Sequence, residues 1–286
     1  MPLDIFQQHR SRLFGIAYRM LGSRVDAEDA LQDIYLRWHA ADHTQLQMPE
    51  AWLVTVTTRL CIDRLRAAKV EREHYVGPWL PEPLITEFSA TESAAEIASE
   101  LSIALLNTLE RLSPEERAAF LLREIFDVDY AEIARILDKS EDACRQLVHR
   151  AKVRVREDRP RFEVSATAHR ELLEKFVAAS RSGNHQQMLS VLAPNALMVS
   201  DGGGKVIAAL RVLHGAERLM RLFAKIIQRG GEQVTYQLAL VNGELGVLRF
   251  LNGAMDSVYA FVTDGVHIHE IYAVRNPDKL NAITLQ

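Results

Sequence analysis

Cysteine is nearly missing from this chain: only Cys61 and Cys144 occur in 286 residues. Two thiols cannot build a disulfide framework or a cysteine-rich zinc site, so a cytoplasmic protein with reduced thiols is expected. Long apolar runs are missing too, since no stretch approaches the ~18–20 residues that a membrane span requires. The opening Met1-Pro2-Leu3-Asp4 lacks the basic start and apolar stretch of a signal peptide. There is no excess of positive charge either. Lys+Arg number 34 against 38 Asp+Glu, a net charge of −4, so the overall balance does not announce a nucleic-acid binder. No internal repeat is visible. What is present, 48% hydrophobic and 25% charged residues, is the composition of an ordinary globular protein. The length suits two or three domains of ~100–200 residues.

The distribution of charge says more than its sum. Residues 1–163 carry 22 Lys+Arg against 28 Asp+Glu, yet the basic residues are clumped. Arg59, Arg64, Arg66, Lys69 and Arg72 form one clump; Arg145, Arg150, Lys152, Arg154, Arg156, Arg159 and Arg161 form another. DNA responds to a local basic face, although a charge run is also what a plain solvated face looks like.

Four blocks follow along the chain. Residues 1–73 read as helices: Ala27, Ala30, Leu31, Ile34, Tyr35 and Trp38 recur at helical spacing, and a further helix near Pro49–Val70 starts at a proline suited to a first turn. Residues 74–99 form a linker. Its Tyr75-Val76-Gly77-Pro78-Trp79-Leu80-Pro81-Glu82-Pro83 must be extended, because three prolines and a glycine exclude a helix. A solvated tether has no need of Tyr75, Trp79 and Leu80, so this segment is expected to dock. The small, acidic stretch Thr86–Ser99 is expected to be mobile.

Residues 100–162 are helical again. Ser113-Pro114-Glu115-Glu116 is a capping box with proline at the first helical position, and Asp129-Tyr130-Ala131-Glu132 repeats the pattern. A helix to Leu137, a turn at Asp138-Lys139-Ser140, and a helix to about Arg156 make a helix-turn-helix. In its second helix Cys144, Leu147, Val148, Ala151 and Val155 share the inner face. Glu141, Asp142, Arg145, Gln146, His149, Arg150 and Lys152 are left outside, as on a helix that reads base edges and phosphates. Helical hairpins of this kind also serve as plain packing units. Residues 163–286 change texture: helices at Ala166–Ser182 and Gly215–Gln228 precede strands at Gln233–Val241, Glu244–Leu251, Ser257–Val262 and Val266–Val274. Turns at Asn242-Gly243, Asn252-Gly253 and Asp264-Gly265 separate the strands, indicating an α+β domain with an antiparallel meander.

Asp26-Ala27-Glu28-Asp29-Ala30-Leu31-Gln32-Asp33-Ile34-Tyr35-Leu36-Arg37-Trp38 resembles the polymerase-binding helix of extracytoplasmic-function sigma factors. Ala51-Trp52-Leu53 through Asp63-Arg64-Leu65-Arg66 resembles their next helix. Leu112-Ser113-Pro114-Glu115-Glu116-Arg117 and Tyr130-Ala131-Glu132-Ile133-Ala134 are similar to the opening of their fourth conserved region. Tyr75–Pro83, Asp201-Gly202-Gly203-Gly204-Lys205 and Asn276-Pro277-Asp278-Lys279-Leu280 resemble the sigma-J-like subgroup, whose members carry a C-terminal SnoaL-like (NTF2-like) domain.

The resemblance implies two all-α sigma domains followed by an α+β cone, and a sigma factor that directs core polymerase to promoter DNA. Asp26, Glu28, Asp29 and Asp33 would face the clamp of the largest polymerase subunit, and the fourth region the flap of the second-largest. The loop Ala40–Glu50 with Trp52, Thr55, Arg59, Asp63, Arg64 and Arg66 would hold the melted −10 strand. Ser140, Asp142, Arg145, Gln146, His149, Arg150 and Lys152 would read the −35 duplex. Asp201, Gly202, Gly203, Gly204 and Lys205, with Asn276, Pro277, Asp278, Lys279 and Leu280, would grip Tyr75, Pro78, Trp79, Leu80 and Pro81 and so regulate in cis, with no obligatory anti-sigma protein. No cofactor, metal or membrane is implied.

Related cone domains include isomerases and cyclases that use a buried Asp, Glu or His as a base. Asp201, His214, His267, His269 and Glu270 are the candidates, and they form no diagnostic constellation. His267 and His269 share a strand face without an evident third metal ligand. The glycine loop lacks the spacing of a nucleotide-binding loop. An enzyme, or a domain that senses a small ligand in the cone, fused to a DNA-binding module is the alternative; no catalytic residue is assigned.

Overall fold

Helical apolar spacing and well-placed caps start the chain as three long helices, α1 (Pro2–Leu21), α2 (Arg24–Ala40) and α3 (Pro49–Arg72). Gly22, at φ 72°, turns the chain after α1, and the Ser23 side chain caps α2 by accepting from the Asp26 N–H at 3.2 Å. Leu13, Ile16 and Met20, Ala30, Ile34 and Trp38, and Leu53, Cys61 and Leu65 bury one stripe from each helix. The computed structural model describes residues 2–43, 46–86, 102–157, 162–230, 233–281 and 283. The chain divides into two units, Met1–His74 with Leu105–Arg159, and Tyr75–Ala104 with Pro160–Gln286.

After α4 (Ile103–Leu109), whose first two residues belong to the second unit, the first unit continues with α5 (Pro114–Glu124), α6 (Tyr130–Leu137) and α7 (Glu141–Glu157). Both halves of the Ser113–Glu116 capping box are formed, and Asp129 caps α6 by accepting from the Glu132 N–H at 2.7 Å. Asp138, in the left-handed region at φ 53°, ends α6, and Ser140 accepts from the Ala143 N–H at 3.2 Å to open α7.

Arginines join the early helices to the late ones. The Arg117 side chain is only 2% exposed; its Nε donates to the Arg19 carbonyl at 2.9 Å and its guanidinium pairs with Glu110. Glu110 also pairs with Arg72, which donates to the Leu21 carbonyl at 3.0 Å. Arg59 donates from Nε to the Ile136 carbonyl at 2.8 Å and from Nη2 to the Arg135 carbonyl at 2.9 Å. These carbonyls belong to the last turn of α6, where free backbone acceptors and the helix dipole both favour a cation.

The second unit contains α8 (Ala166–Ser182), α9 (His185–Val191), α10 (Ala216–Gly230), α11 (Pro277–Asn281) and strands β1 (Ile85–Thr86), β2 (Leu192–Asp201), β3 (Leu213–His214), β4 (Val234–Val241), β5 (Glu244–Leu251), β6 (Ala254–Thr263) and β7 (Ile268–Val274). Among the described residues they form one sheet in the order β1-β4-β5-β6-β7-β2-β3, with β2 parallel to β7 and the other pairs antiparallel. Asn242-Gly243 and Asn252-Gly253 both have positive φ, as a two-residue hairpin turn requires. On one face Phe176, Phe223, Tyr259 and Phe261 meet ring to ring under α8 and α10. The other face buries Val199, Val241, Leu248, Val258, Tyr272 and Val274 against Leu80, Ile103, Ala104 and Leu280.

The structure departs from the sequence reading in identifiable places. The meander is extended by β2 and β3, and α9 precedes β2; none of the three was expected. In β2, Ala196 and Met198 join one cluster and Val199 the other, so the strand has no apolar–polar alternation, and Pro194 sits beside a register shift. The expected mobility of Thr86–Ser99 falls almost wholly on residues outside those described, as do Arg159 and Arg161 of the basic tail and Thr44 and Gln45 of the loop Ala40–Glu50.

Glu116 ties the helix-turn-helix together. It accepts from the Ser113 N–H at 3.0 Å, from Arg150 at 3.2 Å and from Arg154 at 2.6 Å. Burial pushes its carboxyl up, but the Ser113 bonds and the two guanidinium groups outweigh burial and leave it below its ordinary value. A carboxyl depressed in the folded state contributes stability above its unfolded pKa and loses it as pH falls through the folded one. Glu116→Gln is expected to destabilise the helix-turn-helix at neutral pH by roughly 1–3 kcal/mol. In acid, where Glu116 itself is protonated, the difference should shrink. Hydrogen exchange of α5 and α7 amides in the full chain, measured against pH, checks this; an undiminished difference in acid would refute it.

Candidate nucleic-acid interface and strap site

The α2 acids do not form a free patch. Asp26 and Asp29 are exposed, but Glu28 pairs with Arg10 at 2.6 Å and Asp33 with Arg64 at 2.6 Å. Arg64 also donates to the Asp26 carbonyl at 2.9 Å. Along α3, Trp52 packs on Trp38 with ring centroids 5.5 Å apart, and the Thr55 hydroxyl donates to the Ala51 carbonyl at 2.7 Å. Arg66 bonds Asp63 at 3.2 Å and Glu115 at 2.9 Å. Of the first basic clump, Arg59, Arg64, Arg66 and Arg72 thus all donate to protein acceptors in this structure.

On α7 the two faces separate cleanly. Cys144, Leu147, Val148, Ala151 and Val155 are buried, while Glu141, Asp142, Arg145, Gln146, His149 and Arg150 are exposed. Arg145, Gln146, His149 and Arg150 line a shallow groove of about 450 Å³. Ser140 is exposed at the start of the helix, and Lys152 pairs with Glu124 at 2.7 Å. Arg145 donates to Asp142 and Glu141, each at 2.8 Å, with its guanidinium 5.1 Å from the Tyr130 ring centroid. Cys144 is a packed small hydrophobe, and burial pushes its thiol up.

In the second unit, the segment Tyr75–Leu84 lies as a strap over the sheet face opposite the main helices. Its anchor is Asp201, whose side chain is 0% exposed. Oδ1 accepts from the Tyr75 hydroxyl at 2.6 Å and from the Gly203 N–H at 3.0 Å. Oδ2 accepts from the Leu80 N–H at 2.9 Å and from Lys279 Nζ at 2.7 Å. Lys279 also donates to the Leu80 carbonyl and sits 4.1 Å from the Trp79 ring centroid. Asn276 donates to the Tyr75 oxygen at 3.0 Å, and Lys205 pairs with Asp278. Burial and then Asp201 push the Tyr75 phenol well above its ordinary range, so it remains a donor.

Glycine is required in the loop. Gly203 and Gly204 have φ of 60° and 70°; a Cβ on the first would lie 2.4 Å from the Asn276 amide, and on the second 3.1 Å from Val76. Pro78 is half-buried, Leu80 and Pro81 are buried, Gly202 lies against Val206 and Ala208, and Pro277 opens α11.

Asp201 is therefore not a base inside the cone, where the sequence reading placed it as a catalytic candidate: with Leu197 and Val199 it points to the strap side of β2. The other catalytic candidates do not converge on it. His214 is exposed, Glu270 accepts from the Tyr272 hydroxyl, and His269 bonds Asp264 at 2.8 Å and meets the Phe162 ring at a tilt, centroids 4.6 Å apart. Burial pushes the Asp264 carboxyl up, but the bonds from His269 and from the His267 and Val266 N–H groups hold it down at about 2. Among the described residues no group of three or more His, Cys, Asp or Glu is placed to hold a metal.

Sequence reasoning missed two features. Asn242, read only as a turn residue, accepts from the Leu84 N–H at 2.9 Å and donates its own N–H to the Leu84 carbonyl at 2.7 Å, fixing the strap where β1 joins β4. Asp256 holds Arg249 and Arg275 together with Ser257; burial pushes its carboxyl up, and Ser257 and the two guanidinium groups bring it below its ordinary value. Nothing in the spacing of those four residues announced them.

Residues 5–70 match the family model Sigma-70 region 2, and residues 102–155 match Sigma-70, region 4. The ECF RNA polymerase sigma factor SigJ of Mycobacterium tuberculosis (strain ATCC 25618 / H37Rv) is 36% identical over 299 residues, covering 100% of this chain and 95% of that protein. The probable ECF RNA polymerase sigma factor SigI of Mycobacterium tuberculosis (strain CDC 1551 / Oshkosh) is 30% identical over 281 residues, covering 97% and 94%. The crystal structure of Mycobacterium tuberculosis SigJ superposes with a TM-score of 0.81 at 35% identity, over 99% of this chain and 100% of that one. Helices matching region 2, a helix-turn-helix matching region 4 and a sheet-containing domain behind them make this chain a member of the extracytoplasmic-function sigma factor family.

Proposed function

We propose that this chain directs bacterial RNA polymerase core to specific promoters, and that its sheet domain regulates it in cis through the strap. The observation that carries the reading is α7: an apolar face buried, with Arg145, Gln146, His149 and Arg150 side by side on the exposed face. Arg145 and Gln146 suit bidentate base contacts in the −35 major groove, and Arg150 and Lys152 suit phosphate. The exposed carboxylates of Asp26 and Asp29, with Glu28 and Asp33 beside them, face the clamp of the largest polymerase subunit. The region-4 helices meet the flap of the second-largest. Arg59, Arg64 and Arg66 take the melted −10 strand, and each must exchange a protein acceptor for a phosphate to do so. For Arg59 that exchange means parting from the last turn of α6.

The Asp201 cluster supports the regulatory half. A strap fixed at Tyr75, Leu80 and Leu84 is held short, and the strap is the chain between the −10 and −35 readers. A covalently attached grip acts at high effective concentration, so no separate anti-sigma protein is needed. The helix-covered side of the sheet is filled by aromatic rings, which favours a regulatory domain over a catalytic one.

In vitro transcription from candidate genomic promoters, with core polymerase and the full chain, is expected to show promoter-specific initiation. Failure both to bind core and to initiate at any promoter overturns the reading.

Asp201→Asn removes the charge that Lys279 requires and should speed exchange of the Leu80 amide about a hundredfold, the scale of breaking a buried ion pair. Trp79→Ala should loosen the same segment less, and both should alter transcriptional output. Unchanged protection from residue 75 to 84 in both variants would end the strap proposal while leaving promoter recognition untouched.

A further inference from the structure

Arg145 is held in two ways that differ in direction. Its hydrogen-bonding edge is engaged by the carboxylates three and four residues earlier on α7: Nη1 donates to Asp142 and Nη2 to Glu141, each at 2.8 Å. Its guanidinium also rests 5.1 Å from the centroid of the Tyr130 ring, on a different helix. Tyr130 is itself fixed. It is the first residue of α6, directly after the capping Asp129. A second guanidinium, Arg123, lies 5.2 Å from the ring centroid and donates to the Val128 carbonyl at 3.1 Å.

A guanidinium donates hydrogen bonds only in its plane, whereas an aromatic ring attracts a cation through the ring's own face and can stack on the guanidinium plane. Reading guanine takes both edge N–H groups at once, to O6 and N7. The two carboxylates and a base therefore compete for the same edge, and one must leave for the other to bind. The ring contact does not compete. We infer that Tyr130 is a positioning residue for base recognition: it keeps the Arg145 guanidinium oriented while its edge passes from Glu141 and Asp142 to a base. This rests on the proposal that α7 reads the −35 duplex.

The contact is partly exposed, so its expected worth is a factor of roughly two to five in preference for one base. The test uses full-length protein in holoenzyme and a promoter library randomised across the −35 element, scored by transcript sequencing. Arg145→Ala should flatten preference at one position. Tyr130→Ala should reduce preference at that same position about two- to fivefold and leave the other positions and core binding unchanged. Tyr130→Phe and Tyr130→Trp, which keep a ring, should restore it.

If Arg145→Ala flattens a position that Tyr130→Ala leaves intact, the inference falls and the −35 reading stands. If Tyr130→Ala weakens all positions equally and the ring-bearing variants do not restore them, Tyr130 is merely structural and the inference falls. If Arg145→Ala changes no position, the role of Arg145 fails and the inference fails with it.

Discussion

One buried carboxylate organises the second unit. Asp201 sits at the end of β2 with no exposure, a location a charge occupies only when paired and fully bonded. Its four donors come from three separate parts of the chain: Tyr75 and Leu80 from the strap, Gly203 from the glycine loop, and Lys279 from the C-terminal helix. Each is constrained by the carboxylate's position. The loop must bend back within two residues, hence its left-handed glycines. The C-terminal helix must present its lysine inward, where the ammonium lies over the Trp79 ring while it bonds the carboxylate. An apolar face alone would attract the strap; the carboxylate dictates where the strap stops.

The helical unit uses the same economy in a different form. Arg59, Arg72 and Arg117 reach backbone carbonyls on other helices, all three in the last turn of a helix where acceptors are left open. Joints of this type hold by direction as well as by burial, and a guanidinium leaves such a carbonyl without penalty only where another acceptor replaces it. A phosphate oxygen is such an acceptor. In the −10 role proposed for Arg59, the α6 carbonyls are such acceptors, held until a melted strand takes their place.

Much of this was legible in the sequence, for reasons that differ by element. The capping box at Ser113, the cap at Asp129 and the Asn-Gly turns rest on local rules, and the structure keeps them. The separation of faces on α7 followed from helical period alone. The strap could be anticipated because a tether has no use for Tyr75, Trp79 and Leu80. What could not be read was non-local. β2 pairs in parallel with a strand some seventy positions later and is apolar on both faces, so it carries no alternation. Asp201 drew notice as a possible base because related cone domains use a buried Asp, Glu or His; only the fold shows which side of the strand it takes. Asn242 signalled a turn and gave no sign of its partner Leu84.

The prolines of the strap explain why so few bonds suffice to set its register. Pro78, Pro81 and Pro83 have no N–H, so between Tyr75 and Leu84 the backbone offers few donors to any partner. A strand with a full ladder of N–H groups could slip by two residues and bond again; this one cannot. The Leu80 N–H is the donor flanked by residues that orient it, with Trp79 before and Pro81 after, and it meets Asp201. The next fixed point is Leu84, clamped through both its N–H and carbonyl by Asn242. Between these two points the chain is Pro-Glu-Pro, stiff and already extended, so little conformational freedom remains to be lost on docking. Stiffness lowers the entropic cost of holding the strap, and the scarcity of donors makes a displaced register unrewarding. Hence the strap has one good position on the sheet, and a change at either fixed point alters the length of free chain on its far side.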